Sequence, residues 1–377
     1  MKKIYNICPY IYYRNDQFMK DCILIPYTFY QLYAIEPVIV TAQREPYTYP
    51  DLLPGLTVDI QNAPESDSIQ LWIVQMKEYI RTHIQDMDLL FCFGCYELTQ
   101  AIVPYYKQLK PDGHVILKLD MNSGWEDHMS MRNDSLNLML SHCTLITCEG
   151  KKLKHLLSQK WPYEIDYVTN GCLPNSDHVA YKEKENIILT VGRIGTEQKA
   201  NEVLLEAFAA CADEYPDWTL RLIGPVEQHF QSYITQYYER FPHLSDRVIF
   251  TGRILDKDKL KAEYRRAKIF AMTSTVEGGT PNVFSEAAQN GCYMVCSEID
   301  AADEFTNWQH CGKEFPIGDA TSLTALLREI LDPDYDKNIQ KCCENVQIYC
   351  HRYFDYTLSV KKMMHLLKLK GGTNEIQ

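Results

Sequence analysis

Short apolar runs alternate with amphipathic stretches along almost the whole chain. In the first part, the runs Ile4–Cys8, Pro37–Thr41, Leu89–Phe93, Val115–Asp120, Leu145–Cys148 and Ile165–Thr169 predict strands. Segments near 67–84, 96–109, 127–141 and 150–159 carry apolar residues at helical spacing and fall between those runs. Alternation of this kind implies βα units and a parallel sheet covered by helices on both faces. Asn170-Gly171 then makes a turn, and Leu173–Asn186 is polar, contains a proline and has no periodicity. It reads as a linker.

The alternation restarts beyond it. Ile187–Val191, Trp218–Ile223, Val248–Thr251, Ile269–Met272 and Tyr293–Cys296 predict strands, with a weaker one at Glu314–Ile317. Helices lie between them, such as Asn201–Cys211, where Val203, Leu204, Ala207, Phe208 and Cys211 share a face. The expected fold is α/β: two doubly wound, Rossmann-like parallel-sheet domains facing each other across a cleft. Residues 1–172 form the first domain, 173–186 the linker and 187–350 the second domain. Residues 351–377 hold a C-terminal helix, with a return to the first domain as one option, and a frayed tail.

One stretch of the second domain carries the most chemistry. Lys268–Met272 is a buried strand, Ser274–Pro281 a glycine-rich loop, and a helix follows that stops at Gln289-Asn290-Gly291. Thr280 is expected to cap that helix, Pro281 to take its first position and Gly291 the left-handed residue past its end. A glycine-rich turn feeding a helix N-terminus offers backbone N–H groups and a positive dipole end to an anion. Glu277 and Glu286 bracket it, and carboxylates accept hydrogen bonds from sugar hydroxyls. A diphosphate over the helix end with a sugar on either side would satisfy all three features. A plain Gly-Pro turn with two solvated glutamates is the competing reading. The first strand of the domain ends in Gly192-Arg193-Ile194-Gly195 with Lys199 beyond. A guanidinium fork and a point charge flanking such a loop suit a diphosphate. Arg253 and Ile254 end the third strand, where the Ile254 backbone would form a shelf for a base.

Composition narrows the classes. At 377 residues the chain exceeds the size of a single growing core. A net charge of −12 argues against nucleic acid as a partner and against a broadly basic membrane-binding face. Lys151-Lys152-Leu153-Lys154-His155 with Lys160 is the local exception: a solvated helix face, or a contact for anionic lipid. Met1-Lys2-Lys3 leads directly into a strand, so no signal peptide is expected, and no run approaches the ~18 apolar residues of a membrane span. Fourteen cysteines without a secretion signal point to free thiols in a cytoplasm. Cys92-Phe93-Gly94-Cys95 is the one CxxC and reads as a strand running into a turn.

Val191-Gly192-Arg193, Lys199 and Leu204–Phe208 resemble the first donor-site motif of glycosyltransferase family 4 (glycosyl transferases group 1). These are retaining, nucleotide-sugar-dependent enzymes of the GT-B fold. Leu222-Ile223-Gly224, Ile249–Gly252 and Glu277–Asn282 with Glu286-Ala287 continue the resemblance in order, over about residues 165–330. It implies that Arg193 and Lys199 neutralise the diphosphate, that Glu277 holds donor-sugar hydroxyls and that Glu286 holds the ribose. Gly192, Gly278, Gly279, Thr280, Pro281 and Asn282 would complete the donor contacts with Arg253 and Ile254.

No metal or other cofactor is implied, the nucleotide-sugar being a substrate. The acceptor would be a hydroxyl on a sugar, a lipid-linked or a protein-linked group, with at most peripheral membrane contact. Eight residues lie between Glu277 and Glu286, one more than is usual in the family. The first domain has Pro9–Asp16 where the family carries a glycine pair. Asp120 occupies the place of the family's first-domain histidine, with His128 as the other candidate. A nucleotide-sugar epimerase of the same fold and a non-catalytic nucleotide-sugar-binding partner of another transferase are the alternatives.

Overall fold

The structure, a computed structural model, describes residues 1–174 and 177–371, the side chains of 126–128 excepted. It divides into two compact units, Met1–Leu173 with Asp355–Gln377, and Pro174–Phe354.

The strands of the first unit are β1 (Lys3–Tyr12), β2 (Glu36–Ala42), β3 (Thr57–Gln61), β4 (Leu89–Phe93), β5 (His114–Lys118), β6 (Leu145–Cys148) and β7 (Asp166–Tyr167). Helices α1 (Asp21–Tyr33), α2 (Ile69–His83), α3 (Glu97–Leu109), α4 (Asp134–Ser141) and α5 (Lys151–Lys160) connect them. All neighbours pair parallel, in the order β3-β2-β1-β4-β5-β6-β7. β4 and β6 keep their expected bounds. β5 stops at Lys118, which leaves Asp120 on the loop, and the last expected strand shrinks to the two residues of β7. The CxxC lies where β4 turns out of the sheet at Gly94, whose φ is +70°. Burial pushes the Cys95 thiol up to about 12 and Cys92 further, so neither is a ready thiolate.

The second unit holds β8 (Glu185–Val191), β9 (Thr219–Ile223), β10 (Val248–Gly252), β11 (Ala267–Met272), β12 (Tyr293–Ser297) and β13 (Gly312–Phe315). Its helices are α6 (Asn201–Ala209), α7 (Gln231–Arg240), α8 (Lys257–Arg266), α9 (Asn282–Gln289), α10 (Ala302–Thr306), α11 (Ala320–Leu331) and α12 (Asp336–Tyr353). The sheet is again parallel, ordered β10-β9-β8-β11-β12-β13.

The last helix, α13 (Tyr356–Lys370), belongs to the first unit. It buries Tyr356, Val360, Met363, Met364 and Leu367 in one core with Phe18, Cys22, Ile25 and Phe29 on and before α1. Burial of side chains of this size contributes roughly 1.5–3 kcal/mol each. That core covers one face of the β1–β4 region, and a second, with Trp72, Met76, Ile102 and Tyr106, covers the other.

Candidate active site

Chain direction across the second sheet reverses between β8 and β11: β9 and β10 continue to one side of β8, β12 and β13 to the far side of β11. Ligands of open α/β sheets bind beyond the carboxyl ends of strands at such a reversal. The loops leaving β8 and β11 there are the two that carry the charged residues.

Backbone contacts hold the first loop rigid. Gly192 N–H donates to Ile223 O at 2.9 Å, and Ile194 N–H to Pro225 O at 2.9 Å. A Cβ on Gly224 would lie 1.6 Å from the Gly192 carbonyl oxygen, so only glycine lets these loops touch. The chain then turns at Ala200, in the left-handed region at φ 41°, to enter α6. The second loop is zipped to the first: Thr273 Oγ1 donates to Lys199 O at 2.8 Å, and Thr275 N–H to Gln198 O at 2.8 Å.

This brings Lys199 against Glu277. Lys199 Nζ pairs with Glu277 Oε1, which also accepts from Ser274 Oγ at 2.6 Å. Gln198 Nε2 donates to Val276 O at 3.0 Å and to Glu277 Oε2 at 3.3 Å, while its own Oε1 accepts from Arg193 Nη2 at 3.0 Å. Arg193, Gln198, Glu277, Lys199 and Ser274 are therefore one connected network. Glu277 is buried, Lys199 half-buried and Arg193 open to solvent. Gln198 and Ser274 were not among the expected site residues. An amide beside the lysine and a hydroxyl three residues before the glutamate were the available signals, and both are common residue types in loops.

The entry to α9 differs from expectation. Pro281, at φ −61° and ψ 138°, is the cap, and Asn282 is the first helical residue. Proline cannot cap with its side chain, and the cap is made by its carbonyl, which accepts from Phe284 N–H at 3.0 Å. Thr280 is wholly buried before it, and Gly279 takes a φ of +69° that favours glycine. Gly291 does sit in the left-handed region, at φ +70°. Phe284 N–H is taken up by the bond to Pro281 O, and an anion at the start of α9 would meet the positive end of the helix dipole.

Glu286 is half-buried on the second turn of α9, and Tyr264 Oη of α8 donates to its Oε2 at 2.8 Å. Burial, then the Glu286 charge, raises the Tyr264 hydroxyl well above its ordinary pKa, so it stays a donor. Arg253, exposed, and Ile254, half-buried, follow β10, which stands two strands from β8, roughly 10 Å at about 4.8 Å per strand.

The first unit has its own reversal, between β1 and β4. Tyr10 packs edge-on against Tyr13 and Tyr96 there, at 5.7 and 5.6 Å between ring centres. Tyr96 Oη donates to Asp120 Oδ2 at 2.9 Å. Tyr13 is buried and donates to Asn6 Oδ1 at 2.6 Å, which makes it a packing residue. β1 reaches this region through Ile11, a β-branched residue strained at φ 77° where the pairing with β2 slips. Below Asp120 lies a buried ionic cluster not expected from the sequence: Lys118 Nζ is 2.5 Å from Asp21 Oδ2 and pairs with Glu149, whose Oε2 accepts from Asn170 Nδ2 at 2.7 Å. The His128 side chain lies outside the described residues.

Asp120 is exposed as a residue, yet protein packs around its carboxyl group. That burial raises its pKa, Asp21 adds to the rise, and Lys118 and the Tyr96 hydroxyl oppose it. A carboxyl raised on folding contributes its full share of stability below the ordinary value of about 3.9, and that share declines as pH rises through the folded value. Asp120→Asn should therefore gain on wild type in melting temperature between acid and neutral pH. A difference that does not vary with pH would count against the crowding of this carboxyl.

Two parallel, doubly wound sheets with charged loops at the carboxyl ends of the second define the GT-B class of glycosyltransferase folds. Residues 185–333, within the second unit, match the sequence model of the family described as Glycosyl transferases group 1. Phosphatidyl-myo-inositol mannosyltransferase of Mycolicibacterium smegmatis is 23% identical over 228 residues. That match spans 57% of this chain and 56% of the relative's length. Among solved structures, Anabaena HepE in complex with UDP-glucose superposes with a TM-score of 0.75 at 16% identity, over 98% of this chain and all of that one. Sucrose-phosphate synthase of Thermosynechococcus elongatus gives 0.73 at 16% identity, over 98% and 99%.

Proposed function

We propose that the protein is a family 4 glycosyltransferase that moves a sugar from a nucleoside diphosphate to an acceptor hydroxyl with retention of anomeric configuration. The observation that carries this reading is the meeting of Lys199, Arg193 and Glu277 in one network at the sheet reversal, beside the start of α9. The complex of the GT-B relative HepE with UDP-glucose supports the donor class.

The chemistry follows from charge flow. Cleaving the sugar–phosphate bond builds negative charge on the β-phosphate and positive charge on the anomeric carbon. Arg193, Lys199 and the α9 terminus stabilise the first without reorganisation. They take the place of a divalent cation, so the reaction runs without metal. Glu277, oriented by Ser274 and Gln198, holds sugar hydroxyls. Glu286, oriented by Tyr264, holds the ribose. The departing phosphate takes the acceptor proton while the acceptor attacks from the same face. Asp120 and Tyr96 serve the acceptor in the first unit. The setting is cytoplasmic assembly of a bacterial surface polysaccharide or glycolipid.

A thermal-shift screen against UDP, GDP, ADP and their common sugars tests the donor assignment, because a ligand selective for the native state raises apparent stability. One nucleotide series should stabilise the protein. Glu286→Ala should lose most of that shift while changing turnover at saturating donor far less. If no nucleotide shifts the melt, the proposal fails.

A further inference from the structure

We propose that the Lys199–Glu277 ion pair makes the site discriminate an intact nucleotide-sugar from the nucleoside diphosphate left after transfer, Glu277 being the residue that decides between them. The inference rests on the donor reading above and adds a choice between substrate and product. Lys199 Nζ, the charge assigned to the leaving phosphate, is paired with Glu277 Oε1. The two side chains are 16% and 9% exposed, so water is a poor substitute for either partner. An ammonium has several N–H donors but a single charge, and whatever part of it a phosphate takes is lost to Glu277. Arg193 stands differently. It is exposed and donates to a neutral amide, Gln198 Oε1 at 3.0 Å, so a phosphate that meets it takes nothing from an acid.

What Glu277 receives in exchange depends on the ligand. Ser274 Oγ donates to its Oε1 at 2.6 Å and Gln198 Nε2 to its Oε2 at 3.3 Å. Both donors are neutral, and a buried carboxylate whose cation is drawn away needs further hydrogen bonds. The hydroxyls of a donor sugar supply them. A nucleoside diphosphate has none to offer there, and its terminal phosphate carries about two negative charges at neutral pH. Esterified to the sugar, the same phosphate carries a single charge. The product therefore leaves the acid short of donors and also repels it more strongly. The loops are tied against moving apart to relieve this. Thr273 Oγ1 and Thr275 N–H bind the Glu277 loop to Lys199 O and Gln198 O at 2.8 Å each, and Ser297 Oγ on β12 holds Ser274 O at 2.5 Å. Glu277 thus favours departure of the spent nucleotide while it holds the sugar of the intact donor.

Isothermal titration of the full chain tests it, with UDP and UDP-glucose, GDP and GDP-mannose, and ADP and ADP-glucose as probes. Glu277→Gln keeps the size of the side chain and an acceptor for Ser274 while removing the charge. Against wild type, the variant should bind the bare diphosphate of the recognised series roughly tenfold more tightly and its nucleotide-sugar more weakly. A site that merely lost its scaffold would lose affinity for both. Melting curves confirm folding, and Glu277→Ala, which removes the same charge, replaces the variant if it does not fold. Diphosphate binding that is unchanged or weaker in the folded variant overturns the inference and leaves the donor reading standing, and so does a parallel loss for both ligands. If none of the six probes binds wild type, the donor reading fails and takes this inference with it.

Discussion

Lys199→Ala should abolish most transfer activity and also lower stability, two effects with separable causes. In the proposed reaction Lys199 is a charge-assisted partner of the leaving phosphate. Losing such a partner costs roughly 2–5 kcal/mol, about thirtyfold to several thousandfold in kcat/KM. The same truncation leaves Glu277, whose side chain is 9% exposed, without its cation. Ser274 Oγ and Gln198 Nε2 still donate to that carboxylate, so the folding cost should be about 1–3 kcal/mol, not the full penalty of a stranded buried charge. Lys199→Met with Glu277→Gln should regain much of the stability and none of the turnover. Arg193→Ala should cost turnover alone, because that side chain is exposed. Initial rates with labelled donor and melting curves on the same preparations separate the two effects. Near-wild-type turnover in both Lys199→Ala and Arg193→Ala would remove this network from catalysis.

Lys118→Met should produce the largest loss of stability of any single replacement considered. Lys118 is 1% exposed, and its ammonium is the cation for both Asp21 and Glu149, themselves 5% and 2% exposed. Removing it leaves two buried carboxylates with one lost partner, at a cost of roughly 3–5 kcal/mol. Lys118→Met with Asp21→Leu and Glu149→Leu should recover most of that loss, since well-packed apolar groups often replace a buried ionic cluster at little cost. Denaturant unfolding followed by first-unit tryptophans such as Trp72 and Trp161 reads the effect. Equal stability of Lys118→Met and wild type would show that water, not protein, solvates these carboxylates.

Much of the fold was legible because burial imposes a period. Leu89–Phe93 and Leu145–Cys148 are continuous apolar runs, as strands buried on both faces require, and they are β4 and β6 without adjustment. The expected strands of the second unit recur as β8–β13 within a few residues at their ends. Two elements escaped. β3 is an edge strand whose positions are exposed or half-buried, so its alternation is faint. α1 reads Asp21-Cys-Ile-Leu-Ile-Pro-Tyr-Thr-Phe, buried from Asp21 to Phe29 and interrupted by Pro26. A helix covered on both sides has no polar stripe to announce it. One of its covers is α13, which arrives from more than three hundred residues further along.

The donor site divides in the same way. Glycines that must turn or approach closely, the cations after β8 and the glutamates around α9 are local signals, and the sequence by itself determined which residues were candidates. It also determined two α/β halves, because each strand's apolar run is a property of its own few residues. Only the tertiary structure decided that Lys199 and Glu277, 78 residues apart, share an ion pair, with Gln198 and Ser274 holding the acid. The same holds for the Lys118 cluster. Pairing between distant residues depends on strand order and crossover path, and neither is written in the periodicity of any one segment.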